Sequence, residues 1–245
     1  MARRTREYKV RKKDKCHFAF FKKIFKIFKK KPEIIDLNEG KLGSKIIFVS
    51  NHSGASGPMN LNLFFPYRFI PWGAHEMCGN YKERWNYLYH IFYRQKLHWG
   101  KFKSFIIATL FGLISKYLYN NVGLIGTYTD ARLITTIKKS VKVLDENVPV
   151  LIFPEDSSKG YFDKPTEYLQ GFIVLAKTYY KKRGEDVPVC PVYFSKKLAR
   201  IVIGKPVMVN ELLKSGKTEK EVASLVLEKT LNLLSEYFTE LEKSA

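Results

Sequence analysis

Two stretches of the 245-residue chain put reactive side chains where an apolar run stops. Ile46–Val49 leads into Ser50-Asn51-His52, and Val148–Phe153 leads into Pro154-Glu155-Asp156-Ser157-Ser158. In open α/β sheets, ligands gather outside the carboxyl ends of strands, so chemistry is expected at these two places. Histidine is the side chain that changes charge near neutral pH. A lone histidine is more often structural, and His52 becomes a candidate because of where its strand stops. Glu155, Asp156 and Ser157 have an ordinary alternative role in capping the helix that follows. Arg132 has one too, as a solvated residue at a helix start. Ser53 and Ser56 neighbour His52, but no Gly-x-Ser-x-Gly elbow with the usual triad order is met. His17, His75, His90 and His98 lack partners at ligand spacing, so no metal site is expected.

The elements that must position these groups follow from periodicity. Ile46–Val49, Arg68–Trp72, Val122–Ile125, Val148–Phe153, Val187–Phe194 and Ala199–Ile203 read as strands. Residues 81–119, rich in Tyr, Phe and Leu, read as helical. In Leu133–Asn147, Leu133, Ile137, Val141 and Leu144 recur at four, four and three, the period of one helix face. Tyr168–Lys182 and 211–243 read as helices, the second as one helix or a pair. Strands alternating with helices argue an α/β sheet with crossover helices.

Charge is concentrated at one end. The net charge is +20, and residues 1–31 carry 14 Lys or Arg against Glu7 and Asp14, or +12. Residues 1–16 are expected to be a basic disordered arm. Residues 17–31 differ, because Phe18, Phe21, Phe25 and Phe28 share a helical stripe with lysines around them. Such a helix suits an anionic membrane surface, and Pro32 marks its stop. The alternative is a helix packed on the protein's own core with its lysines solvated. Phosphate binding explains lysines but not a phenylalanine stripe, so no nucleic acid partner is expected. The longest apolar run elsewhere, Phe105–Ile114, is too short to cross a bilayer, so membrane contact is expected to be peripheral. Cys16, Cys78 and Cys190 form no disulfide framework or metal pattern, and a reducing, cytoplasmic setting is expected.

At its motifs the chain resembles the glycerolipid acyltransferases, which make phosphatidic acid and related lipids. The strand IIFVS runs into NHSGASG, GLIGTYTDAR offers Gly126 and Arg132, FPEDSSKG spans 153–160, and VPVCPV spans 187–192. These occur in the family's order, over roughly residues 44–210. Gly171 and IGKPV are softer echoes. The resemblance implies a single catalytic domain over 33–245, with a mixed, mostly parallel sheet flanked by helices. It implies transfer of a fatty acyl group from acyl-CoA or acyl carrier protein to a hydroxyl of a lysophospholipid or related lipid acceptor. This would take place at the cytoplasmic face of a membrane and without a cofactor. His52 would be the general base. Arg132, Glu155, Ser157 and Lys159 would bind the acceptor, commonly through its phosphate.

The chain departs from the family at two motifs. The family places an Asp five residues after the His, and Gly57 stands there instead. The third motif has Asp156 in place of Gly and Ser158 in place of a base. A carboxylate that orients the histidine is worth about 10⁴ in a serine-protease triad. Asp156 is the expected substitute, and Glu76 is another. A member of the fold that has lost chemistry and serves as a lipid-binding adaptor is the competing reading. The aromatics of 81–119 are expected to be core, with an acyl groove or membrane-facing patch as the alternative.

Overall fold

The computed structural model describes residues 8–54, 56–156, 160–161 and 164–242. In chain order the elements are α1 (Cys16–Ile27), β1 (Glu33–Asp36), β2 (Ile47–Ser50), α2 (Ser56–Phe64), β3 (Ile70–Ala74) and α3 (Tyr81–Asn86). They continue with α4 (Lys101–Val122), β4 (Ile125–Thr127), α5 (Leu133–Asp145), β5 (Val150–Ile152), α6 (Gly171–Arg183), β6 (Val189–Ser195), β7 (Arg200–Ile203), α7 (Val209–Lys214) and α8 (Glu219–Glu242). A 3-10 turn, His75–Cys78, follows β3, and a π-helical segment, Tyr87–Lys96, joins α3 to the loop before α4.

The strands form one sheet in the order β1-β7-β6-β2-β5-β3-β4. Every neighbouring pair is parallel except β6 with β7. The fold is therefore α/β, with a mixed, mostly parallel sheet flanked by helices. The central strand β2 is buried throughout, as a parallel strand covered on both faces must be. Ile47 and Val49 point to a core shared with Ile137, Leu144, Phe172 and Val226 of the helices on one face. Phe48 points the other way, to Leu61, Cys190 and Ile203. This alternation with period two assigns each helix to a face.

Several elements differ from the sequence reading. Val122 closes α4 instead of opening a strand, and β4 begins at Ile125 after the left-handed Gly123. Phe105–Ile114 is the middle of a 22-residue helix that is long and apolar enough to cross a bilayer by length and composition. The expectation of no such segment is thereby corrected. Residues 8–15, read as part of a disordered arm, lie on the body. Tyr8 donates from its hydroxyl to the Gly123 carbonyl at 2.7 Å, and Asp14 faces both Lys22 at 3.0 Å and Arg68 at 3.4 Å. In α1 the stripe is divided between the body and the outside. Phe18 is buried and Phe21 packs on Tyr117 of α4, while Phe20, Ile27 and Phe28 face outward. The helix stops at Ile27, short of Lys29-Lys30-Lys31, where three adjacent like charges precede a proline that disfavours helical backbone.

Candidate active site

Strands β2, β5, β3 and β4 are consecutive and parallel, so their carboxyl ends share one edge of the sheet. His52, Glu155, Glu76 and Arg132 follow these four ends in that order. Strand spacing of about 4.8 Å puts the ends of β2 and β4 roughly 14 Å apart.

Past β2 the chain is pinned by Asn51. Its buried amide donates to the Phe194 carbonyl at 2.9 Å and accepts from the Phe194 N–H at 2.8 Å, extending the β2–β6 pairing by one side chain. Ser53 and Gly54 then both take positive φ, 44° and 61°. This turn brings the Gly54 carbonyl back onto His52 Nδ1, at 2.5 Å. A carbonyl only accepts, so Nδ1 carries the ring hydrogen and Nε2 is left with the lone pair. The Gly54 contact is the imidazole's only hydrogen bond among the described residues.

The ring is enclosed by aromatics. Tyr161 stacks on it with centroids 4.1 Å apart and planes 16° apart, and Phe153 meets it edge-on at 4.9 Å. The Lys96 ammonium lies 5.3 Å from the Tyr161 ring centroid. Burial, and secondarily the Lys96 charge, push the imidazole down to about 3, against the opposing pull of the Gly54 carbonyl. His52 is therefore neutral at physiological pH. Its backbone N–H donates to Glu155 Oε1 at 2.6 Å. Burial raises the Glu155 carboxyl to about 7, with the His52 amide acting in the opposite direction. Glu155 thus ties the loops after β2 and β5 together through the main chain, leaving the imidazole to Gly54.

Position 57, where the motif resemblance leads one to expect an Asp, has no room for a side chain. A Cβ on Gly57 would lie 2.2 Å from the His52 carbonyl oxygen and 3.3 Å from that of Asn51. Any side chain at 57 collides with the backbone that carries the histidine. The carbonyl of Gly54 occupies the role at Nδ1 that an aspartate fills in a catalytic dyad.

The other expected residues are distributed as follows. Asp156 is exposed, and its carboxylate acts on Lys96, as does that of Glu76. Neither is hydrogen-bonded to the His52 ring, so the expected replacement of the family Asp by Asp156 is not what the structure places there. Arg132 is exposed at the start of α5. Its guanidinium forks onto Asp130, with Nε 3.0 Å from both oxygens and Nη2 2.7 Å from Oδ2, and lies 4.5 Å over the Tyr128 ring. Ser157 and Lys159 lie outside the described residues. Sequence reasoning missed Lys96, Tyr161 and the Gly54 carbonyl. Lys96 reaches the site through the π-helical segment, which leaves no pattern in residue types, and a main-chain carbonyl has no residue signature. Gly160 was the available signal. At φ 111°, a Cβ there would lie 3.3 Å from the Lys96 carbonyl oxygen and 3.5 Å from His98 Nε2, so the loops meet at a residue that only glycine suits.

The fold and this edge define an α/β protein whose candidate chemistry centres on a neutral, singly oriented imidazole among aromatics and one ammonium group. No family model matches the chain, and no curated protein matches it by sequence. A solved structure is similar: the 1-acyl-sn-glycerophosphate (LPA) acyltransferase PlsC from Thermotoga maritima. The two are 14% identical with a TM-score of 0.48, and the match covers 82% of this chain and 72% of that one.

Proposed function

We propose that the protein transfers a fatty acyl group from a thioester, carried by coenzyme A or acyl carrier protein, to a hydroxyl of a lysophospholipid or related lipid acceptor. The reaction takes place at an anionic membrane surface on the cytoplasmic side. The observation that carries this reading is the neutral His52 ring, its Nδ1–H held by Gly54, at the strand end where the ordered motif set puts its histidine. Nε2 takes the hydroxyl proton as the oxygen attacks the thioester carbon. The tetrahedral adduct collapses with loss of the thiolate, and the imidazolium returns the proton to that sulfur. The products are an ester and a free thiol. Lys96 and Arg132 supply positive charge for the acceptor's phosphate, joined by Ser157 and Lys159 on the strength of the motif resemblance.

A second reading is favoured by one observation. Gly57 admits no carboxylate and the imidazole is a weak base, which suits a non-catalytic lipid-binding adaptor of the same fold. A thioester-consumption assay with lysolipid acceptors separates the two. The transfer reading expects turnover that falls by about 10² to 10⁴ in His52→Ala. No turnover with any acceptor, alongside retained lipid binding, selects the adaptor.

A further inference from the structure

The outer face of α4 is an apolar stripe left largely uncovered by the described residues, with Phe105 at its edge meeting the rings of Trp85 and Tyr89 edge-on. Phe102, Phe105, Leu110, Leu113 and Ile114 are exposed along it, Phe102 at 79% and Leu113 at 66%. The opposite face is small: Ser104, Ala108, Gly112 and Ser115 are buried at spacings of four, four and three. Against that face sits the buried guanidinium of Arg84, donating to Ser115 Oγ at 3.0 Å and to the Gly112 carbonyl at 3.2 Å. Pulling α4 away from the body would strip a buried cation of these partners, which is costly. The helix therefore keeps one face on the domain, and only the other is available.

The charges around the stripe select its occupant. Neither α1 nor α4 contains an acidic residue, and Lys101, Lys103, Lys116 and the lysines of α1 border the exposed apolar side chains. A second copy of a chain with net charge +20 would bring like charges together across such a face. An anionic lipid surface complements it.

Position ties the stripe to the candidate site. The first turn of α4 follows, after a short loop, the π-helical segment whose last residue, Lys96, approaches Tyr161. Its C-terminal half carries Tyr117, which accepts the ring of Phe21 and bonds His17 Nδ1 through its hydroxyl at 2.6 Å. The helix spans about 33 Å at roughly 1.5 Å per residue.

We infer that α4 lies in the plane of the lipid–water interface, with its outer face immersed in an anionic monolayer along its whole length. The exposed Phe20, Ile27 and Phe28 of α1 join it at one end, and its other end follows Lys96, which approaches Tyr161 on the His52 ring. The inference deepens the acyl-transfer reading by naming the surface through which a lipid acceptor arrives, and it is measured without turnover.

The test is flotation of the full chain with phosphatidylcholine vesicles, with and without about a third phosphatidylglycerol. Leu110→Ser combined with Leu113→Ser is compared with Phe20→Ser combined with Ile27→Ser and with the native chain, each checked for native thermal unfolding. The native chain is expected to float with anionic vesicles and to lose most of that binding at high salt. The α4 pair is expected to lose about tenfold or more in partitioning, from the apolar area removed. Native partitioning by the α4 pair overturns the inference, as does equal binding to neutral vesicles. An α4-dependent dimer in lipid-free sedimentation also overturns it and assigns the face to a second copy. A chain that floats as expected but consumes no thioester refutes the transfer reading and leaves this surface standing.

Discussion

Restoring the carboxylate that the acyltransferase motif expects, by Gly57→Asp, is predicted to damage this protein instead of activating it. Gly57 sits in the first turn of α2 and its φ is not positive, so glycine is needed for space alone. The added Cβ would stand 2.2 Å from a main-chain oxygen that cannot rotate away. Overpacking costs about 1–3 kcal/mol, and a rigid backbone neighbour puts this case near 3. Replacing a helical glycine returns up to about 1 kcal/mol of propensity. The net loss is about 2 kcal/mol, or a fall of roughly 4–8 °C in Tm for a domain of this size. Gly57→Ala carries the same Cβ without the charge and is expected to fall by a similar amount. Thermal unfolding by circular dichroism measures both, and thioester consumption by Gly57→Asp is read beside it. The reasoning is refuted if Gly57→Ala melts at or above the native temperature, or if Gly57→Asp melts normally and turns over faster.

Two further predictions concern protons. The folded Glu155 carboxyl is raised from 4.5 to about 7, so between those values the folded state holds a proton that the unfolded state releases, and stability falls as pH rises. The folded His52 imidazole is lowered from 6.5 to about 3, so between those values unfolding takes up a proton, and stability falls as pH drops. The two slopes, each at most about 1.4 kcal/mol per pH unit, oppose one another from pH 4.5 to 6.5. Glu155→Gln removes one of them and is expected to make denaturant stability fall with acidification across that window; an unchanged pH profile sinks the assignment. Lys96→Gln removes a positive charge that disfavours the imidazolium, and nitrogen NMR of the His52 ring is expected to show its titration moved upward. A titration that stays in place or moves down would mean that the ammonium does not act on this ring.

The two strands that carry the loops were readable because each is a short β-branched or apolar run, halted by Ser50-Asn51 in one case and Pro154-Glu155 in the other, and α5 was readable from its four-four-three spacing. Two elements were not. β1 is four residues with charged ends, and it exists because β7 lies beside it: Glu33 pairs with Arg200 in register, with Nη2 of the arginine 2.7 Å from the carboxylate. α2 begins Ser-Gly-Pro and contains two asparagines, poor helix formers all; burial of Leu61 in the core against the sheet, with Leu63 also buried, holds it. The site was legible to the same degree. His52 stands out as a residue type at a strand end. The atom that orients it is a carbonyl presented by two successive left-handed residues, and the reason for the missing Asp is a main-chain oxygen. Both belong to backbone geometry, which residue identity encodes only through Gly54 and Gly57.

On the acyl-transfer reading, a carbonyl standing where the motif expects a carboxylate does half of that residue's work. The tautomer is still fixed, because the Gly54 oxygen accepts only from Nδ1–H. The imidazolium that forms on proton uptake gains a dipole where a full negative charge would have stood, and it faces the Lys96 ammonium as well. In the resting site the carbonyl thus supports proton uptake less than a carboxylate would, and the ammonium opposes it. An acceptor whose phosphate lies beside Lys96 offsets that ammonium and supplies negative charge close to the ring, so base strength would rise when such a substrate is present. A neutral acceptor brings no such charge. The acyl-transfer reading is therefore bound to an anionic acceptor, whereas the adaptor reading requires none, and a comparison of phosphate-bearing with phosphate-free lysolipids bears on the choice between them as directly as removal of His52.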